Sequence, residues 1–162
     1  MKRLLKYIIS RRGLLVVNFA IVAFIAIVAV ESWELMRDTI HNVDEIGEIL
    51  DAVGIVLVAW GVALEERATL MNAFGAYKEG CPESEAMIDR ECHIYGMAAL
   101  LLGLFMEVTV ELVKVPDAVI NTFGIEHVLF GVGVLFMVVA AFLLVRMNFE
   151  MWRIARTACQ TT

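Results

Sequence analysis

Glu107 and Glu111 stand inside an otherwise apolar stretch of a 162-residue chain. With the outer end of that stretch at Val115, a rise of 1.5 Å per residue puts Glu107 about 12 Å below it. An ionisable group so deep in hydrocarbon is costly, so it faces a bundle interior, pairs with a cation or keeps its proton. Glu107, Glu111 and Lys114 share one helical face by their spacing. Further acids and a histidine belong to the same level once the chain is oriented. They are Glu31, Glu34, Glu48, Asp51, Glu126 and His127.

The candidate site is therefore Glu107 at the centre, with Glu111, Asp51, Glu48 and His127 as its nearest partners. Three chemistries fit such a set. Lys114, Arg37 and His41 can neutralise the acids in an internal salt-bridge network that holds the helices in register. Chains of Asp, Glu and His within a membrane also mark cation or proton pathways. Carboxylates and imidazole converging from four helices can bind a divalent metal ion, the candidate cofactor. Di-metal bundles use two Glu-x-x-His pairs, however, and the spans contain none.

Other constellations are weaker. Cys81, Cys92 and His93 match no C-x-x-C pattern and lack a fourth ligand. His93 and His127 fall at opposite membrane faces, which leaves no bis-histidine pair for haem. Met97, Met106 and Met137 read as packing residues rather than copper ligands. No G-x-S-x-G, Walker, G-x-G-x-x-G or H-E-x-x-H pattern occurs, so an enzymatic role has no support.

The elements that position these residues follow from composition. Hydrophobic residues make up 60% of the chain, with only two prolines, well outside the range of soluble domains. Four apolar runs carry the excess, at about 13–31, 46–64, 95–115 and 125–145, each near the roughly 20 residues a membrane-crossing helix needs. The first run is longer than the apolar region of a secretory leader and no clear A-x-A site follows it, so it reads as a retained span.

Orientation comes from the basic residues. Lys2, Arg3, Lys6, Arg11, Arg12, Arg67, Lys78, Arg90, Arg146, Arg153 and Arg156 all lie on one side, and only Arg37 and Lys114 on the other. Lys and Arg accumulate on the cytoplasmic side of short loops, which places both termini inside. The three cysteines share that side, where thiols stay reduced. The net charge of −6 and the lack of a dense basic patch exclude a nucleic-acid binder.

Local patterns refine the picture. Arg37, His41, Asp44, Glu48 and Asp51 follow steps of four and three, one polar face entering the second span. Past residue 64 the second span continues as an amphipathic helix to Gly75 or Gly80, and Pro82 opens the helix that becomes the third span. Proline at 116 ends that span. Glycines recur at seven residues in 54 and 61, 96 and 103, and 124 and 131, a pattern for close helix approach or homo-oligomer contact. Trp33, Trp60 and Trp152 read as interfacial anchors.

The expectation is an all-α integral membrane protein forming one domain over 1–162. It is a four-helix antiparallel bundle with both termini cytoplasmic and helices 2 and 3 extending into the cytoplasm. The lipid bilayer is its first partner, with a second copy or other membrane subunits beside it, in the bacterial inner membrane. The expected function is that of a structural or accessory subunit of a membrane complex. The alternatives are cation or proton transport through the carboxylate cluster, and a carboxylate and histidine metal centre.

Overall fold

A computed structural model describes residues 7–37, 43–77, 82–117 and 126–158. Within these, side chains are described for 7–32, 46–77, 83–112 and 128–154. The described chain is all-helical, without strands. Its helices are α1 (Arg11–Arg37), α2 (Val43–Glu65), α3 (Arg67–Ala73), α4 (Pro82–Asp117) and α5 (Glu126–Ala158). Four of them, all but α3, are long and apolar enough to cross a membrane. A bilayer offers no water to an open backbone, and helices satisfy their own hydrogen bonds.

The starts and stops have local causes. Ser10 caps α1, its Oγ accepting from the Gly13 N–H at 3.4 Å while its carbonyl accepts from Leu14 at 2.9 Å. The second span does not run on unbroken. α2 ends at Glu65, Glu66 forms a turn, and α3 restarts at Arg67. No glycine or proline marks this break; Arg67 is drawn into the protein there instead. α3 closes at Gly75, whose φ of 55° is a conformation that glycine adopts without steric cost. The Gly75 N–H donates to Asn72 and the Ala76 N–H to Met71, the paired bonds of a Schellman cap. α4 starts at Pro82, where a missing N–H costs nothing, and runs 36 residues, about 54 Å.

Packing centres on α2 against α4, then α4 against α5, with α1 joined chiefly to α5. Glycines make the first of these pairs close. A Cβ on Gly61 would stand 2.7 Å from the Gly96 carbonyl oxygen, and one on Gly96 would stand 2.8 Å from that of Gly61. A Cβ on Gly103 would meet the Gly54 carbonyl oxygen at 2.7 Å. The seven-residue repeats at 54/61 and 96/103 are thus the two sides of one seam. Gly131 has none of the described atoms within 4 Å of its Cβ position, and Gly124 lies outside the described residues.

Two apolar clusters fill the interior. One contains Leu50, Leu57, Met106, Met137 and Leu144; the other contains Leu14, Leu64, Ile88, Met147 and Met151. Trp60 packs against both. The outer surface of the long helices is also apolar, with Phe19, Ile27, Phe105, Val128, Phe142 and Phe149 among the exposed residues. A soluble surface does not carry apolar area on this scale. Four such helices fit a multi-pass membrane protein.

Candidate functional site

Glu107 and Asp51 both border the α2·α4 seam. Glu107 is half-buried, and its Cγ would lie 3.1 Å from a Cβ on Gly54. Gly54 leaves the space that the glutamate methylenes occupy. Asp51 is half-buried on α2, three residues before Gly54 and so on the same face. Glu48 and Glu111 are exposed. His127 belongs to the first turn of α5, but its side chain lies outside the described residues, as do those of Lys114, Arg37 and His41. The polar stripe from Arg37 to Asp51 is therefore described only at Glu48 and Asp51. Among the described residues, no group of three or more His, Cys, Asp or Glu side chains is placed to hold a metal ion.

Two polar clusters lie elsewhere, and neither was singled out as a site by spacing. The first surrounds Arg67, which is 1% exposed. Its Nη2 donates to Glu85 Oε2 at 2.8 Å, its Nη1 to Asp89 Oδ1, and its Nε to the Ile9 carbonyl at 3.3 Å. The Tyr77 hydroxyl donates to Asp89 Oδ2 at 2.6 Å. Burial works against the guanidinium charge, but the Glu85 hydrogen bond and the charge of Asp89 outweigh it, and the Arg67 pKa is raised. Tyr77 is pushed up to about 12 by desolvation and by its bond to Asp89, so it stays a donor at neutral pH. The sequence signal was available in outline: Glu85 and Asp89 sit four residues apart on the first turns of α4, spaced to bracket one cation.

The second cluster centres on Asn18, which is fully buried. Its Nδ2 donates to Asn148 Oδ1 at 3.0 Å and to Met147 Sδ at 3.4 Å. Its Oδ1 accepts from the Trp60 indole N–H at 2.5 Å. One amide thus joins α1, α2 and α5. Trp60, expected as an interfacial anchor, is instead half-buried with its N–H spent inside the protein. Ser32, also fully buried, has no hydrogen-bond partner for its hydroxyl among the described residues.

Chemically, the Arg67 cluster is an ion-pair latch with each guanidinium nitrogen engaged, and the Asn18 cluster is a neutral clamp. Neither presents a nucleophile with an adjacent base. The chain matches no protein-family model, no curated protein and no solved structure.

Proposed function

We propose that the chain is a structural or accessory subunit of a membrane complex. In this reading it is a four-helix antiparallel bundle in the bacterial inner membrane, with both termini cytoplasmic and α2–α3 and α4 extending beyond the inner leaflet. The facing glycines support the antiparallel sense, because 54 pairs with 103 and 61 with 96. The clamp and the latch support a common end for the termini: Asn18 of α1 meets Asn148 of α5, and Arg67 reaches Ile9, Glu85 and Asp89. At about 54 Å, α4 exceeds the roughly 30 Å of hydrocarbon by several turns.

The observation that carries the subunit reading is the apolar interior between the carboxylates beside Gly54 and the latch at Arg67. Leu57, Leu64, Leu144 and Met147 fill it at 0–1% exposure, and Asn18 is bonded within it. A transport path needs polar groups reachable by water, whereas a subunit needs a lipid-facing surface and a closed core. Met87 and Ile94, exposed on the part of α4 nearest the latch, are surfaces a neighbouring chain would cover.

A cation or proton site is the second reading, favoured by the half-buried placement of Glu107 and Asp51 on one seam; with Glu48, Glu111 and His127 it would take a divalent metal ion. Reconstitution separates the two. Vesicles containing the protein should show no cation or proton flux and no bound metal by elemental analysis, and a photo-crosslinker at Met87 in native membranes should yield one discrete adduct. Flux or metal binding that Glu107→Gln abolishes would establish the second reading in place of the first.

A further inference from the structure

Between α1 and α5 runs an open groove of about 620 Å³, lined by Val16, Phe19, Val145, Asn148, Phe149 and Trp152 with Leu15 and Val22 completing it. From Leu15 to Val22 it follows α1 for about 10 Å, roughly two-thirds of the half-thickness of a bilayer's hydrocarbon, about 15 Å. Every lining residue except Asn148 is apolar or aromatic. In a bilayer such a groove is filled by lipid or by another helix, and the order of side chains along it decides between them.

That order is graded. Val22 and Phe19 on α1, and Val145 and Phe149 on α5, form the apolar length. Asn148 supplies an amide in the wall, fixed by the bond its Oδ1 accepts from Asn18, and its own N–H2 group is a donor suited to an ester carbonyl. Trp152, half exposed, stands one turn beyond Asn148. Past it come the cations: Arg12, exposed, one turn before Val16 on α1, and Arg153, next to Trp152 on α5. The Arg153 side chain is 64% exposed, and its pair with Glu150 at 3.4 Å is a surface contact of small energy. Contact between Asn18 and Asn148 puts these two arginines at the same end of the groove.

We infer that this groove binds an anionic glycerophospholipid from the leaflet on the side of the termini, with an acyl chain along Phe19 and Phe149, an ester at Asn148 and the phosphate between Arg12 and Arg153. Apolar length, amide, indole and guanidinium repeat the sequence of chain, ester, glycerol and phosphate in the lipid. A partner helix would meet two arginines with no acid of its own specified, whereas an anionic headgroup answers both. Basic pockets between membrane helices on the cytoplasmic side have this chemistry. The inference requires only that the four helices lie in a bilayer, and it stands apart from the subunit reading.

The full chain is reconstituted in phosphatidylcholine vesicles carrying tail-brominated lipid, either phosphatidylglycerol or phosphatidylcholine, at equal mole fraction. The quenching due to Trp152 is taken as the difference between wild type and Trp152→Phe. Phosphatidylglycerol should reach half-maximal quenching at a several-fold lower mole fraction than phosphatidylcholine. The double substitution Arg12→Gln with Arg153→Gln should bring the two curves together while helical content and unfolding remain as in wild type. Equal quenching by both lipids overturns the inference, as does an anionic preference that survives the double substitution. Protection of Trp152 from both lipids that grows with protein density also overturns it, since a second copy would then occupy the groove.

Discussion

Along α2 and α4 the helices approach until backbone meets backbone at Gly61 and Gly96, while along α1 and α5 they leave a groove of about 620 Å³. Both pairs are built from apolar sequence, so hydrophobicity does not separate them. What differs is the residue at the contact. Glycine removes side chains from the α2·α4 seam and lets the helix surfaces touch along its length, which is how helices associate where lipid is as apolar as leucine. Phe19, Phe149 and Trp152 line the groove between α1 and α5, and a polar bridge at Asn18 joins the buried Leu14, Ile25 and Val28 in tying α1 to the rest. One half is held by close backbone approach and by the Arg67 latch; the other is held by side-chain packing and one buried amide.

The latch should give the largest effect. Arg67→Leu strands Glu85 and Asp89 against each other beside an apolar surface, and removing one partner of a buried ion pair costs about 3–5 kcal/mol. Because those two acids are about 15% exposed, the lower end is expected. Unfolding in mild detergent reads the loss, and adding Glu85→Gln and Asp89→Asn to Arg67→Leu should restore part of it. A cost below about 1 kcal/mol, the range of exposed pairs, would mean that the half rests on the glycine seam alone.

Next comes the seam. Gly61→Ala sets a Cβ 2.6 Å from the Leu100 nitrogen and 2.7 Å from the Gly96 oxygen, both backbone atoms that no rotamer change can move. Separating the helices to admit it should cost about 1–3 kcal/mol, measured by the same unfolding assay. Retained stability would show that α2 and α4 can slide apart, and the contrast with the α1·α5 side would lose its basis.

How far these features could be read in advance depends on the distance over which each is determined. The four spans were legible because each is a continuous apolar run. So was the seam, since glycines at 54, 61, 96 and 103 repeat at the period that keeps one helical face in register. Arg67 read as one more basic residue near the membrane. Its partners lie 18 and 22 residues onward across a turn, and nothing local distinguishes a buried arginine from a solvated one. The break at Glu66 was missed for the same reason, because the pull on Arg67 is tertiary. Asn18 is a polar residue within the first apolar run, but its partners Trp60 and Asn148 come from two other helices. For Glu107, the seam explains its neighbour Gly54. Its relation to Lys114 and His127 falls on side chains outside the described residues.

A smaller effect is expected at the polar attachment of α1. Asn18→Leu keeps the volume roughly and removes the acceptor of the Trp60 indole and the donor to Asn148. Hydrogen bonds between membrane helices are worth about 0.6 kcal/mol on average and up to about 1.7, and this change breaks more than one. The loss should therefore lie near the upper figure. Hydrogen exchange should rise in α1 around Asn18 before it rises in α2 or α4. Uniform exchange across all helices would mean that α1 is not the separable element the comparison makes it.

The smallest effect distinguishes a glycine that packs from one that does not. Gly131 has the same seven-residue spacing from Gly124 that marks the other pairs, so sequence alone would group it with Gly61. Among the described residues its Cβ position is empty to 4 Å, it lies within a regular turn of α5, and its φ is not in the left-handed region. With no clash to pay and less freedom in the unfolded chain, Gly131→Ala should raise stability by about 0.5–1 kcal/mol. The measurement is the one used for Gly61→Ala, and the two substitutions, chemically identical, should differ in sign. A destabilised Gly131→Ala in detergent would require a contact that the described residues do not provide. If the destabilisation appeared only as protein density rose, a second copy would be seated on this face of α5, and the seven-residue repeat at 124 and 131 would belong to an interface between chains, while the repeats at 54/61 and 96/103 serve the seam within one.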